Sequence, residues 1–401
     1  MMYESSRLKP IQASPAMAIS VKAQEMCKAG MNVINLSVGE PGFDTPSHII
    51  DAAVAAMRSG ETHYTPADGT IALKNAIVDK FLRENSLKFS RHNISTGNGA
   101  KQVIFNALMA TMEPEDEVIV PAPYWVSYTD MVLLLGGVPK ILECPVESGY
   151  KLNINQLEAA ITPKTRWLIL NSPSNPSGMA YTLEELRKLG NVLKRHKGVL
   201  VLSDEIYEHI NYGSERIPSI LNACPELHDR VVIVNGVSKA YAMTGWRLGY
   251  AAGPEKLIKV MAKIQSQSTS NPRSISLAAA IAALNGPQDF LASAMTEYSQ
   301  RREVLFDALD NIPGLHARKP NGAFYAFVEC SNIIGRKTAE GITIYDDEAL
   351  ASYFLEEAHV AVVPGSAFGL SPYFRMSFAA PLNELKEACK RLDNAISHLV
   401  L

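Results

Sequence analysis

Four short apolar runs set the strongest constraint on how this chain can fold. "EVIVP" (117–121), "RWLILN" (166–171), "VLVLSD" (199–204) and "RVVIVN" (230–235) are rich in β-branched and aliphatic residues and bounded by turn residues. None alternates apolar with polar, so each predicts a strand covered on both faces. Longer stretches of helical pattern separate them. In "YTLEELRKLGNVLKRH", Thr182 and Glu185 have capping-box spacing, and a second helix is predicted from about Gly99 through "AKQVIFNALMATM". Strand–helix alternation on this scale predicts an α/β fold whose large domain is a mostly parallel sheet flanked by helices. The texture changes near Asn285. "PQDFLASAMTEYSQRREVLFDALDNI" reads as one long helix, and strand-like pieces then alternate with "DEALASYFLEEAHV". The expected division is a large domain over 50–285 and a smaller α/β domain built from 1–49 with 286–401.

Composition narrows the class of function. With 401 residues the chain can bury a large core, and its 47% hydrophobic and 20% charged residues are those of an ordinary globular protein. A net charge of −3 offers nucleic acid no general attraction. The five cysteines, Cys27, Cys144, Cys224, Cys330 and Cys389, are odd in number and form no CxxC. Neither a disulfide framework nor a metal site is expected, and a reducing cytoplasmic setting is. The N-terminal stretch has no signal-peptide pattern, and no run approaches the ~18 apolar residues of a membrane span.

In sheets of this kind, ligands sit beyond the carboxyl ends of the strands. Just past the four predicted ends lie Trp125, Asn175, Tyr207 and Lys239, and Asp204 closes a strand. Alone, each fits an ordinary role such as a turn, a cap, a core aromatic or a solvated lysine. A carboxylate at the end of a buried strand, however, needs a cationic or hydrogen-bonding partner. Together these residues suit an aromatic cofactor with an aldehyde, a basic ring nitrogen and a phosphate, which is pyridoxal 5′-phosphate. A lysine amine forms a Schiff base with the aldehyde, and a carboxylate pairs with the ring nitrogen. Phenol and amide groups bond the ring oxygen, and an indole stacks on the ring. A helix N-terminus and an arginine hold the phosphate.

The ordered motifs "VGEPGFDTP" (38–46), "HYTPADG" (63–69), "PYWVSY" (123–128), "NSPSNPSG" (171–178), "DEIY" (204–207), "SKAYAMTGWRLGY" (238–250) and "FRMSFA" (374–379) carry a resemblance. From about Ile19 to Leu392, the chain resembles the class I, fold type I pyridoxal-phosphate-dependent aminotransferases, and within them the aspartate aminotransferase group. The resemblance implies that Lys239 is the Schiff-base lysine and acid–base catalyst, that Asp204 pairs with the ring nitrogen, and that Tyr207 and Asn175 bond the ring oxygen. It implies that Trp125 stacks on the ring. Arg247, the backbone of Gly99, Ala100 and Lys101, and Tyr64 from a partner subunit would hold the phosphate, so a homodimer with shared sites is implied. Arg375 would clamp the substrate α-carboxylate, with Asn175 and Trp125 beside it, and the Gly39 backbone would approach the substrate. One departure stands out: relatives often carry a phosphate-binding serine three residues before the lysine, where this chain has Gly236, and Ser238 is the candidate substitute.

The implied reaction is transamination between L-aspartate and 2-oxoglutarate. Lys101 would serve the distal carboxylate, with Arg273 as second candidate. Gln12 stands where prephenate-accepting members carry lysine, so little prephenate activity is expected. The stretch from Ser14 to Ile19 is expected to fold over the site. The rival readings are transamination of aromatic, alanine-type or prephenate/arogenate substrates, and a lyase of the same fold. A non-enzymatic regulator would need an appended DNA-binding module, and a degenerate binding protein would be expected to have lost Lys239 or Asp204.

Overall fold

The computed structural model describes residues 5–11 and 15–400. At its centre is a seven-stranded sheet in the order 94–97, 249–252, 231–236, 200–204, 165–171, 117–122, 138–143. The Gly249–Ala252 strand pairs antiparallel with both of its neighbours, and every other pairing is parallel. The four predicted strands are present as Glu117–Ala122, Thr165–Asn171, Leu200–Asp204 and Val231–Gly236. Their lack of polar alternation has a direct cause. Successive side chains point to opposite faces; Val231 and Ile233 enter one helix-covered core, and Val232 and Val234 enter the other. Each such side chain, fully buried, is worth roughly 1.5–3 kcal/mol.

The helix Leu183–Arg195 starts at the predicted capping box. Thr182 Oγ1 accepts from the Glu185 amide at 3.2 Å, and Glu185 Oε2 accepts from the Thr182 amide at 2.7 Å. The helix predicted from Gly99 is Ala100–Met109, and the long one is Asp289–Leu309.

A second core draws on Ile34, Leu36 and residues from Ala294 to Leu399. It surrounds a smaller antiparallel sheet in the order 363–364, 373–377, 325–329, 316–317. The expected boundary at 49/50 falls inside the helix Ser47–Arg58. Residues 36–45 run from this second core to the carboxyl edge of the central sheet. At one end the Leu36 carbonyl accepts from the Ser377 amide at 2.8 Å. At the other, Thr45 Oγ1 donates to the Ala242 carbonyl at 2.7 Å and accepts from Trp246 Nε1 at 3.0 Å. No described helix is long and apolar enough to cross a membrane.

Candidate active site

A cavity of about 600 Å³ opens at the carboxyl edge of the central sheet. Its walls include Trp125, Asn175, Asp204, Tyr207, Ser238 and Lys239. Ala100, Lys101, Arg247, Gly39 and Arg375 also line it, whereas Gly99 does not, and its amide donates to the Gly97 carbonyl at 2.8 Å. Strand register does much of this work. Asn171 pairs with Asp204 across two neighbouring strands. Its Nδ2 donates to the Asp204 carbonyl at 2.9 Å, and its Oδ1 accepts from the Asn175 amide at 2.8 Å. One strand-end asparagine therefore fixes the loop that carries Asn175.

Asp204 is 4% exposed. The partner its burial demands is Tyr128, whose hydroxyl donates to Oδ2 at 2.6 Å. Oδ1 accepts from the Ile206 amide at 3.2 Å, which turns the chain sharply after the strand. Tyr207 therefore sits in a turn just past the strand end. Burial pushes the Asp204 carboxyl up to about 6, although the Tyr128 bond pulls it the other way.

Lys239 donates to the Gly39 carbonyl at 2.6 Å. Burial lowers its pKa to about 8; Arg375 and Arg247 press the same way, against Glu40 and Asp204. A lysine that is easily made neutral is a nucleophile and a base. Arg375 donates to Asn175 Oδ1 at 3.0 Å and to the Ser37 carbonyl. Its Nε finds no hydrogen-bond partner among the described residues, and burial lowers its pKa. A buried guanidinium with a free N–H is a ready carboxylate site.

The opposite end of the cavity suits a phosphate. The first amides of a helix have no intrahelical acceptor, and here they belong to Ala100 and Lys101 at the start of Ala100–Met109. Arg247 adopts φ 53°, a left-handed conformation, and anchors its guanidinium on the Thr244 carbonyl at 2.9 Å. Gly99 has φ 88°, and a Cβ there would lie 2.3 Å from the Arg247 guanidinium. A Cβ at Gly249 would lie 2.2 Å from the Ala100 amide nitrogen. The two glycines keep this cradle open. Gly236 has a related explanation: a Cβ there would crowd the Leu248 carbonyl at 3.0 Å and Gly249 Cα at 3.1 Å. A serine there would need these neighbours to give by a few tenths of an ångström, and Ser238 lines the cavity instead.

Lys101 is exposed overall, yet its ammonium lies 5.0 Å from the centre of the Trp125 ring. Partial burial and then Arg247 lower its pKa. Arg273 is exposed and lines a neighbouring depression with Asp44 and Trp246, outside the cavity wall. Tyr64 is 91% exposed and does not line its own chain's cavity. A Cβ on Gly39 would lie 2.5 Å from the Tyr325 hydroxyl, so a side chain of this protein already needs that space. Gln12 and Ser14 lie outside the described residues; Ile19, in the helix Pro15–Lys28, packs against the second core.

Sequence reasoning missed Tyr128, Asn171, Tyr325 and Ser37. The first two stand inside quoted motifs, so their position was in view but their contacts were not. Nothing in the sequence marks the other two.

Comparison with known proteins agrees with the architecture. The family model for aminotransferase class I and II matches residues 31–392. Aspartate aminotransferase of Rhizobium meliloti (strain 1021) is 51% identical, over 98% of this chain and 96% of its own. The aspartate/prephenate aminotransferase of Nitrosomonas europaea is 49% identical, over 98% and 99%. The crystal structure of the Rhizobium meliloti enzyme superposes with a TM-score of 0.97 at 50% identity, covering 100% of both chains. The Thermus thermophilus aspartate aminotransferase with maleate gives 0.92 at 38% identity, over 98% of this chain and 100% of that one. By family model, sequence and fold alike, the chain belongs to the class I and II aminotransferases, in the neighbourhood of the aspartate aminotransferases.

Proposed function

We propose that this protein is a pyridoxal-phosphate-dependent aspartate aminotransferase. It would pass the amino group of L-aspartate to 2-oxoglutarate, giving oxaloacetate and L-glutamate. The observation that carries the reading is the meeting in one cavity of a lysine poised near neutrality, a buried strand-end carboxylate and a buried arginine with a free N–H. The donor set fits the cofactor, with a cradle for its phosphate at one end and a carboxylate for its ring nitrogen at the other. When bound, pyridoxal phosphate supplies the electron sink that makes the substrate α-hydrogen acidic.

The residues divide the remaining work. Lys239 would hold the cofactor through its aldehyde, and its amine, freed when substrate takes its place, would serve as the base and acid for the substrate α-proton. Asp204, held by Tyr128, keeps the ring nitrogen protonated. Tyr207 and Asn175 would bond the ring oxygen, and Trp125 would stack on the ring. Arg247, Ser238 and the amides of Ala100 and Lys101 would bind the phosphate, with Gly99 leaving the space for it. Tyr64, exposed on its own chain, would reach the phosphate of a second subunit, so the working form is a homodimer. Arg375 and Asn175 clamp the α-carboxylate beside Gly39, and such orientation is worth several kcal/mol. Lys101, at the rim near Trp125, receives the distal carboxylate. The setting proposed is cytoplasmic, with small amino and 2-oxo acids as the partners.

The test is an amino-donor panel with 2-oxoglutarate on wild type and Lys101→Ala. Aspartate should exceed phenylalanine and alanine in kcat/KM, and Lys101→Ala should lose about tenfold or more of that preference. Equal kcat/KM for the three donors sinks the dicarboxylate reading. An intact preference in Lys101→Ala places the cation elsewhere, and Arg273, although outside the cavity wall, is tested next. The relatives named aspartate/prephenate aminotransferase favour a second reading, in which prephenate is also an acceptor. The same panel with prephenate decides it, and Gln12 predicts a weak response.

A further inference from the structure

Tyr325 has no role in the assignments above, yet it touches three of the groups they use. It begins the Tyr325–Glu329 strand of the small antiparallel sheet and is 1% exposed. Its hydroxyl lies 2.8 Å from that of Tyr207, 118 residues away in the chain. The Arg375 guanidinium carbon stands 4.7 Å from its ring centroid. The missing side chain of Gly39 leaves the space that its hydroxyl needs. Register explains the second contact. Phe327 pairs with Arg375 and Tyr325 with Ser377, so Tyr325 and Arg375 are diagonal neighbours on one face.

The hydroxyl pair has a direction. Each phenol has one hydrogen, and a bond between the two uses only one of them. If Tyr207 donates to Tyr325, the Tyr207 oxygen can only accept from a group in the cavity. If Tyr325 donates, the Tyr207 hydrogen is free to point into the cavity. Arg375 makes both phenols more acidic, but it stands against the ring of Tyr325, so its stronger effect there favours the second arrangement.

We infer that Tyr325 is a positioning residue: its hydroxyl donates to Tyr207 and so makes Tyr207 a hydrogen-bond donor to the cavity, while its ring braces Arg375. The inference rests on the reading of this cavity as a pyridoxal phosphate site. A donor at the ring oxygen stabilises the deprotonated form of the lysine-bound cofactor, and a chained donor is a stronger one.

The test uses the holoenzyme in four forms: wild type, Tyr325→Phe, Tyr207→Phe and the double variant. The readout is the pH titration of the visible band of the cofactor on Lys239. Tyr325→Phe should raise the apparent pKa by about half a unit, the size of one modest hydrogen bond. In the Tyr207→Phe background the same change should add nothing. Affinity for maleate, a non-reacting dicarboxylate, should stay within about twofold in Tyr325→Phe, which keeps the ring. In Tyr325→Leu it should weaken about tenfold as Arg375 loses its brace. A Tyr325→Phe enzyme that titrates like wild type overturns the inference, and so does an equal shift with and without Tyr207. If Tyr325→Leu does not fold, the phenylalanine set decides alone. A wild type with no visible band that borohydride fixes on Lys239 refutes the cofactor reading itself, and the inference with it. A normal wild type beside an unshifted Tyr325→Phe refutes the inference alone.

Discussion

Two groups of buried charges lie on opposite sides of the turn 204–208, and they solve the problem of burial differently. In one, Lys80 is fully buried and paired with Glu208, with Asn85 Oδ1 at 2.9 Å and Glu84 at 3.7 Å. Glu208 also accepts from Asn85 Nδ2 at 2.6 Å and Asn235 Nδ2 at 2.5 Å, and His209 Nε2 lies 2.9 Å from Glu84. Burial pushes both carboxyls up, yet their partners win: Glu208 is lowered, and Glu84 falls to about 2. In the other group, Lys239 has a backbone carbonyl and Asp204 a phenol and an amide. There burial wins, and both pKa values move toward neutrality, Lys239 to about 8 and Asp204 to about 6. In the first group the lysine and both carboxylates meet opposite charge within the protein, although His209 Nδ1 has no hydrogen-bond partner among the described residues; in the second, the closest partners are neutral groups. Burial of charge by itself therefore does not mark function; what separates the two groups is whether a charged partner offsets the burial. The carboxylates and histidine of the first group lie within 4.8 Å of one another, as metal ligands would, but the Lys80 ammonium already supplies the cation. Glu205, a neighbour of this group that accepts from Ser203 Oγ at 2.8 Å, is pushed up to about 7 by burial and then by Glu208.

The largest effect expected is on catalysis. Lys239→Ala should bind cofactor and fold normally, while kcat falls by about 10⁴-fold. Borohydride should label Lys239 alone in wild type, and label on Lys80 would break the comparison. Next in size is Lys80→Met, which leaves two largely covered carboxylates, Glu208 and Glu84, without their buried cation. Unfolding by denaturant should show a loss of about 3–5 kcal/mol, with kcat per bound cofactor within about threefold of wild type. A kcat loss as large as that of Lys239→Ala would make both groups catalytic.

The third prediction concerns the cofactor-free protein and its pH dependence. The Asp204 pKa is raised on folding, from 3.8 to about 6. Its contribution to stability is best at low pH and is lost as pH rises toward and through 6, by up to about 3 kcal/mol. Asp204→Asn removes that dependence, so its stability relative to wild type should grow between pH 4 and pH 7. In the holoenzyme the same variant should lose kcat far more than cofactor affinity. The smallest effect is the reverse case. The Glu84 pKa is depressed, from 4.5 to about 2, so its contribution is present above 4.5 and lost as pH falls toward 2. Glu84→Gln should therefore be less stable than wild type at neutral pH, by about 1 kcal/mol once partial solvent exposure is allowed for. That gap should close in acid. Denaturant titrations of the two variants at pH 4, 5 and 7 should give slopes of opposite sign; slopes of the same sign would erase the distinction between the groups.

Not every strand was equally legible. The four in the middle of the sheet announced themselves because both faces are buried. Val138–Glu143 lies at the sheet edge and is mostly half-exposed or exposed, so its residues carry a weak apolar signal. Gly249–Ala252 reads "GYAA", which is poor in strand formers. It is a strand because Gly236, Gly249 and Gly99 let two strands and a helix start approach one another. At the site, the positions of Asp204, Tyr207 and Lys239 followed from strand ends. Their partners did not: Tyr128 is 76 residues from Asp204, and Gly39 is 200 residues from Lys239.

By itself the sequence determined which residues lie at the carboxyl edge of the sheet, since strand periodicity and turn chemistry are local and act over a few residues. Its ordered motifs also carried the family. The tertiary structure decided what those residues touch and therefore how they are charged. Arg375 meets Asn175 across 200 residues of chain because a second sheet packs against the mouth of the first. The pKa values of Lys239 and Asp204 move because that packing removes water while providing few partners. Desolvation depends on everything that surrounds a group in space, and no local pattern in the chain encodes it.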